Sequence, residues 1–329
     1  MMLTDKQLIL ATKPYAAEIR SESWKQLLIT IFCIAAGYAT IVFVPNLFVR
    51  IAISLVLSLL LVRMFIIYHD YLHHAILQKS IIAKIWFTLY GWYVLVPSVV
   101  WKRSHDYHHK HNSKLSTASI GSYPIMTLSE FLHADKKERA FYLFTRHPLT
   151  IFFGYIFSFL LGMCLLPFLR SPKRNWDGLV SPLFHAAVGA FIFWAGGFEV
   201  FLYLFFIPAF LSSTLGAYLF YAQHNFPGVT FKEKDGWTYS DAALISSSYM
   251  KLDPVLNWFT ANIGYHHIHH ANARIPFYRL PEVFKNIPEF QHATTTSLNP
   301  VDIWKCLQLK LWASERNKMI TLNELKQAS

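Results

Sequence analysis

The sequence predicts an all-α integral-membrane protein: four transmembrane helices in two hairpins, interfacial helices, and a cytosolic cap carrying a metal site. Three observations predict it. The 329 residues are 54% hydrophobic and 17% aromatic but only 15% charged, where an ordinary soluble domain is about a quarter charged. Apolar runs of spanning length recur along the chain. Histidines gather in three clusters beside the polar ends of those runs.

About 20 helical residues cross the hydrocarbon core of a bilayer. Runs of that order lie at Leu27–Val44, Ile51–Tyr68, Leu149–Leu169 and Val200–Ala222, and these are the four expected spans. Ile81–Trp101 is interrupted by Lys84, Gly91 and Pro97, while Phe184–Trp194 is short and ends at Gly196-Gly197. Both read as interfacial or re-entrant pieces. No repeat, low-complexity tract or linker divides the chain, so residues 1–329 form a single membrane domain. Within it, 1–26 is a cytosolic N-tail without the pattern of a cleavable signal peptide. Residues 301–329 alternate at helical spacing and read as an amphipathic C-tail.

The net charge is +11. Basic residues fall in loops and tails rather than in an aromatic-interleaved stripe, so anionic lipid head groups and an acidic protein partner are expected, and nucleic acid is not. Of the 30 Lys and Arg, 25 lie in the N-tail, the segment His69–Pro148 and the tail after Gln223. The positive-inside rule makes these segments cytosolic and leaves Arg50, Arg170, Lys173 and Arg174 on the opposite side. Every histidine cluster then faces the cytosol.

The clusters are His69-Asp-Tyr-Leu-His73-His74, His105-Asp-Tyr-His108-His109 and His266-His-Ile-His269-His270. At this histidine content a random chain would hold about 0.04 matches to H-x-x-H-H, and this one holds two. Residues three and four apart share a helix face, so His69 with His73, His105 with His108 and His109, and His266 with His269 and His270 can each aim imidazoles at one place. These eight, with His224 at the end of the fourth run, make nine metal-ligand candidates. One zinc needs three or four, so nine suit two metals. Only Cys33, Cys164 and Cys306 are present, which excludes a cysteine-based zinc site. Imidazole-rich sites with open positions suit a redox metal that binds dioxygen, iron first, with zinc, manganese and copper open on ligand type alone. Asp70, Asp106, Asn112 and His74 adjoin ligands and are candidates to support them from behind. His111 and His267 sit off the favoured spacing and are expected to support the site or face solvent. His133, His147, His185 and His292 fit no ligand pattern.

The three boxes, in this order and separated by apolar spans, resemble the membrane fatty acid desaturase family of the histidine-box type, over roughly Arg63 to Pro281. The stretch Asn262–Pro276, with Tyr221-Ala-Gln-His224 before it, is similar to bacterial acyl-lipid desaturases in particular. The resemblance implies two iron ions in a coupled centre, helices around an acyl tunnel, dioxygen as oxidant, a fatty acyl lipid as substrate and a bacterial inner-membrane location. Phe220 departs from acyl-CoA desaturases that carry Asn at that place, which disfavours water-mediated ligation there.

No haem-binding His-Pro-Gly-Gly segment and no flavin or dinucleotide fingerprint occurs. Electrons are therefore expected from an acidic partner such as a ferredoxin, flavodoxin or cytochrome. A fatty acyl or carotenoid hydroxylase or ketolase on the same scaffold and a non-catalytic metal-binding membrane protein are the alternatives. Tyr203, Phe205, Phe206 and Tyr218 are candidate tunnel residues. Arg63, about one turn from the end of its span, is expected to snorkel, and Arg274, Arg279 and Lys251 form a basic face.

Overall fold

The computed structural model describes residues 5–115, 117 and 121–328; the first four residues of the N-tail and the last of the C-tail lie outside them. Two long helices, Arg20–Phe43 and Leu47–Leu72, form a hairpin. Asn46 closes its turn by accepting a hydrogen bond from Val49 N at 3.1 Å, which satisfies one of the amides a helix start leaves free. The helices meet closely because position 37 is glycine: a Cβ there would stand 2.8 Å from Leu57 Cδ2.

A third apolar helical stretch, Asp177–Ala222, is 46 residues long, about twice what one crossing needs. Gly197 divides it. Its φ of 74° and ψ of −175° suit glycine alone, and the chain doubles back there. A Cβ on Gly189 would lie 2.8 Å from the Phe205 ring, and the Phe193 and Phe201 rings are 6.0 Å apart. Both pairs are symmetric about position 197. Arg50 and Glu199, 2.6 Å apart, tie this reversal to the turn of the first hairpin.

Two sequence expectations change here. The run Leu149–Leu169 is not one helix: it is interrupted at Phe153, between Pro148–Phe152 and a shorter helix Tyr155–Arg170 that is π-helical over Tyr155–Leu165. Gly154 lies against Ser213 and Ala217, and Cys164 Sγ donates to Leu95 O, so both ends of the broken segment lie toward the histidine end of the long helices. The short piece Phe184–Trp194 belongs instead to a long helix that starts at Asp177. Pro182 and His185 hide it from a hydropathy reading. Inside the fold His185 is satisfied, with Nδ1 2.6 Å from Tyr93 O and Nε2 2.6 Å from Tyr155 Oη, so its burial leaves no polar atom unpaired.

The expected interruption after Ile81 is a bend of 89° between helices Ile81–Tyr93 and Ser98–His111. Asp177 Oδ2 fixes the second of these at its start by accepting from Val99 N at 2.7 Å.

Arg63 does not snorkel. It is buried, donates to Thr30 Oγ1, Gln26 Oε1 and Trp258 O, and lies 4.0 Å over the Trp258 ring. The cation pins the polar cap to both helices of the first hairpin. The C-tail is α-helical in Pro300–Gln308 and Leu322–Ala328, and between them strands Leu309–Ala313 and Lys318–Thr321 pair antiparallel. With the two-residue parallel pair Tyr249–Met250 and Thr295–Thr296, these are the few strands in a mostly helical architecture.

Candidate metal centre

Four elements bring the histidines together. The last turn of Leu47–Leu72 carries His69, and His73 caps it. The helix Ser98–His111 presents His105, His108 and His109, and the short helix His266–Ala271 presents His266, His269 and His270. His224 follows the helix Ile207–Ala222 by two residues. All nine predicted ligands converge. His69, His73, His105, His109 and His269 form one group with ligand atoms within 4.8 Å of one another, and His108, His224 and His270 form a second. His266 joins the second group, its Nε2 2.9 Å from that of His224 and 3.1 Å from that of His270.

The spacing of these nitrogens identifies what they suit. Nε2 atoms of His69 and His105, of His105 and His109, and of His108 and His224 are 3.0, 3.0 and 3.1 Å apart. Two nitrogens bound about 2.1 Å from one ion at right angles stand about 3.0 Å apart. A network of imidazoles alone is a poor explanation, because a neutral ring has one donor and one acceptor, and three Nε2 atoms cannot all satisfy one another. His73 Nε2 is buried with no hydrogen-bond partner among the described residues, although it lies within the first group. Electrostatics agree. Burial, followed by the neighbouring imidazoles, holds His266, His269 and His270 well below the usual imidazole range, and burial brings His224 to about 4 against the opposing pull of Ser246 O. Neutral imidazole is the form that ligates a metal.

The residues behind the ligands divide sharply. Asp70 is buried, with Oδ1 3.3 Å from His69 Nδ1 and Oδ2 accepting from Phe277 N at 2.6 Å, so it fixes the His69 ring and joins the helix Leu47–Leu72 to the segment that follows His270. Asn112 is buried but reaches no imidazole: its Nδ2 donates to Ala242 O and Ser247 Oγ at 3.0 and 2.9 Å. Asp106 turns outward to Lys102 at 2.9 Å. His74 is exposed, in left-handed backbone with φ 61°, and meets Gln78 Oε1. His267 points away from both groups, its Nε2 3.0 Å from Phe290 O. His111 folds back on Tyr107, with rings 3.9 Å apart. Arg63 and Trp101 are the contributors the sequence reading missed. Trp101 stacks on His105 at 4.1 Å, and an aromatic one helical turn before the first histidine of a box is the signal that marks it.

A cavity of about 760 Å³ reaches both groups, touching His69 and His105 of one and His266 of the other. Its walls include Phe65, Trp101, Phe157, Phe159, Met163 and Phe220. None of the tunnel candidates Tyr203, Phe205, Phe206 and Tyr218 lines it, because the doubled-back helix turns Phe205 toward Gly189 and His185. A small cavity of about 20 Å³, room for one water, is also lined by Phe220, together with His108, His224, Asn225 and Arg146.

The profile of the family described as fatty acid desaturase matches residues 45–300. A fatty acid desaturase of Bacillus subtilis is 30% identical over 284 residues, covering 84% of this chain and 78% of that protein. The sn-1 oleoyl-lipid 12-desaturase of Synechocystis is 23% identical, covering 79% of this chain and 74% of its own length. That of Anabaena variabilis is 22% identical, covering 82% and 77%. Three histidine boxes folded into two adjoining imidazole groups, at the wall of an apolar cavity, are what this match spans, and the chain belongs to the fatty acid desaturase family.

Proposed function

We propose that this desaturase introduces a double bond into a lipid-linked fatty acyl chain, with two iron ions held by the nine histidines and dioxygen as oxidant. The observation that carries the reading is the cavity, whose apolar wall is continuous with imidazoles of both ligand groups. A site of about 300–1,000 Å³ lined by aromatic and aliphatic side chains is suited to an apolar ligand. When bound, the two irons supply the dioxygen-activating redox chemistry that side chains lack. The balance is that two adjacent methylenes lose one hydrogen each, dioxygen takes two electrons and two protons from outside, and two waters leave.

The chain's own residues do the positioning. Phe65, Trp101 and Phe220 exclude water and hold methylenes beside the ligand groups, and the resulting register selects the bond. Asp70 keeps His69 in one tautomer and orientation.

We also read the long helices as four crossings, with the third starting at Asp177 and reversing at Gly197. In this topology the loop carrying Arg170, Lys173 and Arg174 sits at the histidine end, through Arg103 Nη2 donating to Asn175 Oδ1 at 2.6 Å. The opposite end then carries Arg50 alone, so the charge bias toward a cytosolic histidine face is steeper than the sequence reading gave it. That basic face suits an acidic electron-transfer partner such as a ferredoxin, flavodoxin or cytochrome.

The test is expression in a bacterial host without desaturases, followed by mass spectrometry of the lipids. Accumulation of monounsaturated acyl chains is expected. Hydroxylated chains in their place, or no change with metal-loaded protein present, would overturn the reading.

A further inference from the structure

The cavity lining runs from buried to exposed residues. Leu61, Val62 and Val96 are at most 3% exposed, while Phe141, Phe144 and Leu166 are 68, 46 and 47% exposed. Arg170 also lines the cavity and is itself exposed. It opens a short basic turn, with Lys173 and Arg174 also exposed. The sequence holds no acidic residue between Glu138 and Asp177, and none of the three cations has an ion pair among the described residues. The turn is rigidly set. Asn175 N donates to Ser171 O at 2.9 Å, its Nδ2 donates to Pro167 O at 2.6 Å, and Arg103 holds its Oδ1. Trp176, half exposed and 6.4 Å from Trp92, places the turn at head-group depth, where tryptophan collects.

We propose that Arg170, Lys173 and Arg174 form the recognition site for the phosphodiester of a phospholipid whose acyl chain lies in the cavity. Cations that serve only to snorkel need no cavity beside them. Here the exposed Arg170 is itself part of the cavity lining, and a guanidinium pairs with phosphate oxygens through two parallel hydrogen bonds. The inference rests on the desaturase reading and adds the carrier of the substrate to it: a membrane phospholipid entering sideways from the bilayer. Coenzyme A carries phosphates too, and the experiment separates the two sources.

Purified metal-loaded protein and the variant R170Q/K173Q/R174Q are titrated in neutral detergent with dipalmitoylphosphatidylglycerol, dipalmitoylglycerol and palmitoyl-coenzyme A, and bound ligand is read by native mass spectrometry. Wild type is expected to prefer phosphatidylglycerol over the uncharged dipalmitoylglycerol, and the variant to lose that preference by about tenfold, a modest share of what three cations gain near an anionic head group. Dipalmitoylglycerol binding and metal content should not change. Equal binding of phosphatidylglycerol by wild type and variant overturns the proposal, as does a loss confined to palmitoyl-coenzyme A. Failure of the wild type to make unsaturated lipid in cells would instead count against the desaturase reading, whatever the titration shows.

Discussion

The two histidine groups differ in number and surroundings. Five imidazoles, from His69, His73, His105, His109 and His269, make the first, backed by Trp101 and by the Asp70 carboxylate. The second has His108, His224, His266 and His270, and it borders the small cavity with Asn225 and Arg146. The first group has one imidazole more and borders the large cavity through His69 and His105, whereas the second also borders a small cavity with room for one water. Removing one nitrogen should therefore hurt the two groups unequally.

The largest effect is expected in the second group. His224→Ala or His270→Ala leaves three imidazoles, and bound iron should fall from about two per chain toward one, with desaturation lost by about a hundredfold or more. Elemental analysis alongside lipid profiling measures both. His73→Ala leaves four in the first group, so activity should fall while iron stays nearer two. Equal metal loss in the two groups would break the comparison. Asp70→Asn keeps the size but weakens the partner of His69, and about a 10- to 100-fold loss in iron affinity or activity is expected. Chelator competition measures the affinity.

A smaller effect follows from pH in the metal-free protein. His267 is neutral in the fold, its pKa pushed down to about 3 by burial against the opposing pull of the Phe290 and Ser248 backbones, while the unfolded chain takes up the proton below about 6.5. The fold then binds fewer protons than the unfolded chain, so stability is full above pH 6.5 and declines as pH falls toward 3. Between pH 7 and 5 this one residue should cost about 2 kcal/mol. His267→Gln, which retains a donor toward Phe290 O, should flatten the fall in Tm over that range. The smallest effects belong to Asp106→Asn and His74→Ala, whose side chains face away from both groups, and their activity and metal content should match the unmodified protein.

The convergence of the box imidazoles was legible because helical spacing is local: i, i+3 and i+4 put imidazoles on one face whatever the rest of the chain does. Asp70 was singled out only because it adjoins His69. Asp106 shares the sequence position of Asp70 beside a box histidine, but its helix turns that face outward, and only packing decides this. The helix starting at Asp177 was underread because apolar length was weighed without asking which polar groups could be satisfied inside, as His185 is by Tyr93 and Tyr155. Arg63 was misjudged for the converse reason. Its partners Gln26 and Trp258 are far away in sequence, so no local signal could announce the clamp. The C-terminal strand Leu309–Ala313 is buried throughout. Lys310 within it lies beside Arg146, with its pKa drawn down to about 7 by burial and by that guanidinium, and an alternating pattern that includes such a lysine reads as a solvent-facing helix.

The bond from Phe277 N to Asp70 Oδ2 reaches beyond ligand orientation. It joins the end of an early membrane helix to a segment made near the close of synthesis, and His69 and His269 meet across the same seam. An ion that binds only the closed arrangement stabilises it by mass action, with the loop-closure cost of the intervening chain already met by the membrane hairpins. Without the ion, neutral imidazoles are left in contact and the seam has less to hold it. On the proposed metal reading, scarcity of metal is expected to lower the abundance of the protein as well as its turnover number.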